Sequence, residues 1–197
     1  MFILASASPR RQELLQSMGC EFRVHVSHAE EAMGDDLPPA ELAMRNARAK
    51  ALAVAGEFPQ FPVLGADTVV ALEHHIYGKP KDAEDAKSML RSFAGKTHEV
   101  ITGIAFVRQG QVFQSTETTE VIFGEMTEAE IAAYVATGEP MDKAGAYAIQ
   151  GGAECFIRGI RGSWSNVVGL PLYAVRELAG KAGINLYGNH GKGSAVE

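Results

Sequence analysis

The residues of this chain best suited to chemistry fall in a few short stretches. In Ser6-Ala7-Ser8-Pro9-Arg10-Arg11, hydroxyls precede a proline and a pair of arginines. Ser8-Pro9 is a helix-start pattern, with Ser8 as cap and Pro9 in the first helical position. Hydroxyls, free backbone N–H groups and the positive end of the helix dipole suit such a start to phosphate oxygens. Arginines at that end cost about 0.3–1 kcal/mol each unless compensated, and an anionic ligand would compensate them. The plain alternative is a capped surface helix whose arginines meet acids from elsewhere. A second stretch, Gly65-Ala66-Asp67-Thr68, sets a carboxylate inside the otherwise apolar run VLGADTVVAL. A carboxylate there must be hydrogen-bonded, paired or metal-bound. At a strand end it suits a Mg²⁺ or Mn²⁺ ligand, or a base that takes a proton from water. Its alternative is a turn aspartate bonded to its own backbone.

Gly78-Lys79-Pro80 holds a lysine between a permissive residue and a stiff one, which limits its freedom. A solvated surface lysine would show the same pattern. Glu30-Glu31 is either a solvated loop edge or the source of a metal ligand. The stretch from Asp142 to Gly152, DKAGAYAIQGG, would let backbone and Gln150 approach a flat ligand. The Gln150 amide presents a donor and an acceptor together, as a pyrimidine edge requires. His25 and His28, and the adjacent His74 and His75, lack a third ligand at zinc spacing and read as ordinary surface or core histidines. Cys20 and Cys155 read as two ordinary thiols rather than one disulfide. Cys155 is expected to be a buried small hydrophobe and Trp164 a packing residue.

The surrounding pattern supplies elements to position these groups. Met1–Ala5 reads as a buried strand, followed by a helix with Leu14, Leu15 and Met18 on its apolar stripe and Gly19 as its stop. A helix is expected over 40–55, with its alanines and Leu42 packed and Arg45, Arg48 and Lys50 elsewhere on its surface. Strand pairing is expected over 62–77, with a turn at Glu73-His74-His75. Asp82 caps a helix carrying Ala86, Leu90 and Phe93, and Gly95 closes it. Long strands follow over 98–108 and 112–123, turning at Gln109-Gly110. Thr127 and Glu130 form a capping box. A hairpin is expected from 155–160 and 164–168, then a closing helix over 171–179. Helices interleaved with hairpins and single strands imply an α/β (α+β mixed) fold around a mixed sheet.

Composition narrows the class. The chain has 197 residues, 46% hydrophobic and 21% charged, with a net charge of −6. That is one domain's length, with apolar content for a core needing no disulfide. The expected division is one domain over 1–189 and a disordered polar tail over 190–197. An acidic chain has no field for a long polyanion, so a nucleic acid polymer is not an expected partner, though local cations could still hold a small anion. No apolar run reaches a membrane span and the start lacks a signal-peptide pattern, so a cytoplasmic protein is expected.

ILASASPRRQELL, VLGADTVV, GKP, THEVITG, EPMDKAGAYAIQG and GSWSNVVGLPL, in this order, resemble the Maf-like nucleotide pyrophosphatases from about Ile3 to Leu178. The resemblance implies a mixed sheet flanked by helices, two lobes around a nucleotide cleft, and a homodimer. It implies hydrolysis of a nucleoside triphosphate to monophosphate and pyrophosphate with a divalent cation, Mg²⁺ or Mn²⁺. By motif, Ser8, Arg10 and Arg11 match the phosphate-binding signature. Asp67 matches the general base, Thr68 the adjacent specificity residue, Lys79 the lysine of the GKP turn, and Gln150 the glutamine tied to base choice. Glu31 and Lys50 match an acid and a lysine of the site, with Asp67 and Glu31 as the metal's ligands; Glu30 competes for the place of Glu31. DKAGAYAIQG is similar to the branch acting on dTTP and UTP. A 7-methyl-GTP pyrophosphatase and a nucleotide-binding regulator of septum formation are the alternatives.

Overall fold

The computed structural model describes residues 1–32, 34 and 36–187; the tail expected over 190–197 lies outside the described residues. In chain order the elements are β1 (Phe2–Leu4), α1 (Pro9–Ser17), β2 (Phe22–Val24), α2 (Pro39–Glu57), β3 (Val63–Leu72), β4 (His75–Tyr77) and α3 (Ala83–Phe93). They continue with β5 (Thr97–Arg108), β6 (Gln111–Phe123), α4 (Glu128–Ala136), β7 (Ile157–Arg161), α5 (Trp164–Val168) and α6 (Leu172–Lys181). Short 3₁₀ turns at Glu139–Asp142, Ala144–Ala146 and Gly152–Phe156 fill the segment between α4 and β7.

The strands form one mixed sheet in the order β2-β1-β3-β5-β6-β7, with β4 also on β3. β1 runs parallel to β2 and β3, and the other pairings are antiparallel. One edge of β3 is paired with β5 from Val63 to Ala71. The opposite edge is shared: β1 takes Val63 and Leu64, and β4 takes Val70 to Leu72. The sheet therefore forks along β3, and Asp67 and Thr68 sit in the gap. The gap opens where the parallel strand β1 ends and α1 begins, the place at which open sheets with parallel strands bind ligands.

Side chains alternate across a strand, so neighbours in the gap face opposite sides of the sheet. Val69 packs with Leu42 and Ala43 of α2, while Ala66 packs with Val168 and Val175 on the other side. Helix α2 lies against backbone. A Cβ at Gly65 would stand 2.2 Å from the Ala47 carbonyl oxygen, and one at Gly103 would stand 2.4 Å from that of Ala43. Ala43, Ala47 and Ala51 are fully buried on that face. Small residues on both surfaces bring α2 close enough for its polar side chains to reach Asp67.

Several expectations need correction. The helix expected over 40–55 is present as Pro39–Glu57, but it turns Lys50 toward Asp67 rather than out to its own surface. Ser8 occupies the N-cap position of α1 without a side-chain capping bond. The second limb of the hairpin expected over 155–168 is helix α5: Ser163 Oγ accepts the Asn166 N–H, and the Asn166 amide donates inward to the Val100 carbonyl. A cap and an inward amide outweigh the β-branched pair Val167-Val168. The other limb is β7, which pairs with β6. Cys155 is exposed because it lies in the 3₁₀ turn ahead of β7, and both cysteines are free thiols. Trp164, at the first turn of α5, is 47% exposed and is not a core residue. The capping box of Thr127 and Glu130 and the cap at Asp82 are present as expected.

Candidate active site

On the α2 face of the fork, Asp67 is nearly buried and both of its oxygens are engaged. Oδ1 accepts from Lys50 Nζ at 2.7 Å, and Oδ2 accepts from Asn46 Nδ2 at 3.1 Å. Lys50 Nζ also reaches Glu31 Oε1 at 3.0 Å, so Glu31 rather than Glu30 joins the cluster. Glu31 itself is half exposed. Asn46 additionally binds the backbone of Ala32, accepting its N–H at 2.9 Å and donating to its carbonyl at 3.0 Å. The result is a closed ring of contacts: Asp67, Lys50, Glu31, the adjoining Ala32, Asn46, and back to Asp67.

On the opposite face, Arg11 braces the fork. Its guanidinium donates to the Gly169 carbonyl at 2.8 Å and to Ser6 Oγ, the Ala66 carbonyl and Thr68 Oγ1, each at 3.0 Å. The Ala66 carbonyl lies on the stretch of β3 edge left open between β1 and β4 among the described residues. Burial pulls the Arg11 pKa below its ordinary value and the charge of Asp67 opposes that, but a guanidinium remains protonated. Thr68 Oγ1 also lies 2.9 Å from Thr102 Oγ1, which joins it to β5.

A cleft of about 790 Å³ spans both faces. Its lining includes Ser8, Arg10, Arg11, Glu31, Lys50, Asp67, Thr68 and Lys79. The structure thus gathers every expected site residue except Gln150, which is exposed and is not part of the cleft wall. Lys143, Ala144 and Tyr147 of the same loop line the cleft instead. Lys143 pairs with Asp142. That ion pair holds Asp142 below the usual carboxylate range, with Arg10 contributing.

Asn46 was missed by sequence reasoning. Its signal was a polar residue on the alanine-rich face of α2, between Ala43 and Ala47. Lys143 was visible only as part of a glycine-bearing loop. The donor set fits a hard divalent cation: Asp67 and Glu31 offer carboxylate oxygens, and Mg²⁺ or Mn²⁺ is commonly held by one or two carboxylates together with substrate phosphates. No group of three or more histidine, cysteine, aspartate or glutamate side chains suited to a metal occurs among the described residues. Phosphate and water would have to complete the shell.

Comparison with known proteins bears on nearly the whole chain. The protein is 51% identical over 178 residues to a dTTP/UTP pyrophosphatase of Bacillus cytotoxicus, covering 90% of this chain and 93% of that one. It is 49% identical over 177 residues to one of Bacillus thuringiensis subsp. konkukian, covering 89% and 93%. It is 47% identical over 182 residues to one of Koribacter versatilis, covering 92% and 94%. The family model described as Maf-like protein matches residues 1–182, and the chain belongs to that family.

Proposed function

We propose that this protein hydrolyses dTTP and UTP to the monophosphate and pyrophosphate. One observation carries the chemistry: a nearly buried carboxylate, gripped by Lys50 and Asn46, lies in a cleft lined with cations. The substrate class is supported by the dTTP/UTP pyrophosphatases to which the chain is about half identical over nearly its full length.

In this reading Ser8, Arg10 and Lys79 take the phosphate chain, offsetting the repulsion that a protein of net charge −6 exerts on a triphosphate. Asp67 orients a water and accepts its proton as the water oxygen bonds to the α-phosphorus. The α–β anhydride bond breaks, and its electron pair leaves on the pyrophosphate oxygen. Lys50 balances the negative charge of Asp67 and Glu31. A Mg²⁺ or Mn²⁺ bound at Asp67 and Glu31 would neutralise charge on the phosphates. Arg11 and Thr68 fix the opposite wall, and the loop carrying Tyr147 and Gln150 reads the base. No helix among the described residues is long and apolar enough to cross a membrane; a cytoplasmic site of action is part of the proposal. A homodimer is part of the proposal, and light scattering tests it.

The test is pyrophosphate release from dTTP, UTP, CTP, dATP, GTP and 7-methyl-GTP, each with Mg²⁺ and with Mn²⁺. Selective release from dTTP and UTP is expected. Release from 7-methyl-GTP alone would keep the chemistry and overturn the base preference. Saturable binding without turnover of any triphosphate would overturn the enzyme reading.

A further inference from the structure

We propose that Asn46 is a positioning residue of this site: its carboxamide sets the rotation of the Asp67 carboxylate and pins the Glu31 segment beside it. The inference rests on the reading that Asp67 does the chemistry. Asn46 is 4% exposed, and every hydrogen-bonding group of its amide is used. Oδ1 accepts from the Ala32 N–H, and the two Nδ2 hydrogens go to the Ala32 carbonyl and to Asp67 Oδ2. Beyond His25, whose N–H still bonds the Leu4 carbonyl of β1, residues 26–32 form neither helix nor strand. The amide does for Ala32 what a strand partner would do, taking its N–H and its C=O together.

The geometry explains why a second grip on Asp67 matters. Lys50 holds only Oδ1, through a long side chain that it also commits to Glu31. A carboxylate held at one oxygen can swing about its Cβ–Cγ bond, whereas one held at both oxygens cannot. Asn46 is short, carries few rotatable bonds and stands on a helix pressed against the sheet. Packing alone does not account for it. An alanine at 46 would suit the small, buried residues Ala43, Ala47 and Ala51 of the same helix, but it would leave the Ala32 N–H, the Ala32 carbonyl and Asp67 Oδ2 without this partner.

Two variants and two readouts test the proposal. Asn46→Ala removes the amide. Asn46→Asp keeps size and the acceptor for the Ala32 N–H while losing both donations, and it sets a carboxylate against Asp67. Thermal melts establish that each variant folds. For pyrophosphate release from dTTP, Asn46→Ala is expected to lower kcat about 10–100-fold with KM within about threefold of wild type, because a misaligned base leaves phosphate binding intact. Asn46→Asp is expected to lower kcat further. In hydrogen exchange without nucleotide, the Ala32 amide of Asn46→Ala should exchange at least about tenfold faster than in wild type, having lost its acceptor. Wild-type kcat in both folded variants would overturn the positioning role, as would a raised KM at unchanged kcat. Unchanged Ala32 exchange would overturn the clamp on the Glu31 segment. Absence of pyrophosphate release by the wild-type protein from every nucleotide would instead overturn the underlying function, and the exchange experiment would still judge the clamp.

Discussion

Asp67 and Arg11 stand on opposite faces of the same strand gap, and their hydrogen bonds define different kinds of dependence. Asp67→Asn keeps the shape of the side chain but removes the charge that Lys50 answers and the base that would take a proton. It is expected to lower turnover by roughly 10²–10⁴-fold, the usual scale for a positioned base, while the protein still unfolds cooperatively. Pyrophosphate release and a thermal melt of the same preparation check both halves. Arg11→Lys fails differently. The planar guanidinium serves Gly169, Ser6, Ala66 and Thr68 at once, and an ammonium has three donors in another geometry. At about 1–3 kcal/mol for each buried acceptor left unpaired, the variant is expected to lose several kcal/mol of stability, read by urea unfolding. From sequence, Arg11 was legible as a phosphate ligand in a helix-start motif. Its bracing role was not, because three of its acceptors lie at positions 66, 68 and 169, remote along the chain. Asp67 was legible because a lone carboxylate in an apolar run must be compensated. Gln150 was singled out by amide chemistry and by resemblance, and it stands exposed beyond the cleft wall. Gln150→Ala is expected to erode the preference for dTTP and UTP over other nucleotides more than it slows hydrolysis overall. Equal loss on every nucleotide in the panel would remove that residue from base reading.

At the scale of elements, the site depends on how closely α2 approaches the sheet. Gly103 lies opposite Asp67 in the β3–β5 register, and a Cβ there would strike the Ala43 carbonyl. Backbone cannot swing aside as a side chain can, so Gly103→Ala must push α2 outward or bend β5. The expected cost is about 1–3 kcal/mol, typical of overpacking. Turnover should fall as well, because Asn46 and Lys50 retreat with the helix. Thr127→Ala supplies the contrast. It breaks the capping box of α4 at a cost of about 0.5–2 kcal/mol, away from the cleft, and kcat should stay at the wild-type value. Measuring melting temperature and kcat for both variants separates a helix that merely stabilises from one that carries the site. The caps at Asp82 and Thr127, the β5–β6 turn and the long strands are legible because each signal is local. The fork in β3 was not, since it arises from β1 and β4 sharing one edge, and strand order is a long-range property. Helix α5 was misread for a related reason: Ser163 and Asn166 form a local cap, but the inward acceptors of Asn166 lie on β5 and β6.

Across the whole molecule, the response to acid involves His98, which lies inside the THEVITG stretch but carries no role in the sequence reading. His98 is 1% exposed, packed among Phe93, Phe123 and Tyr147, with Nε2 2.8 Å from the Tyr147 hydroxyl and no partner for Nδ1 among the described residues. Burial lowers its pKa from 6.5 to about 3. Below pH 6.5 the unfolded chain takes up a proton that the folded chain refuses until about pH 3, so this group makes stability fall as pH drops through that window. The slope from one such group approaches about 1.4 kcal/mol per pH unit. Carboxylates that lose partners on protonation add their own acid sensitivity, so the test is a comparison of slopes. His98→Phe keeps a ring in the aromatic cluster, removes the titration and leaves the Tyr147 hydroxyl without its partner. It is expected to be less stable than wild type at pH 7 by about 1–3 kcal/mol, yet to lose less stability between pH 6.5 and pH 4. Tyr147→Phe removes the same hydrogen bond but retains the histidine, so its acid slope should stay close to wild type. Urea unfolding of the three proteins across this range checks the assignment, and equal slopes in wild type and His98→Phe would remove His98 as its source. Tyr147 lines the cleft, and the core behind it holds His98, so acid that charges the histidine weakens the packing on which that wall rests.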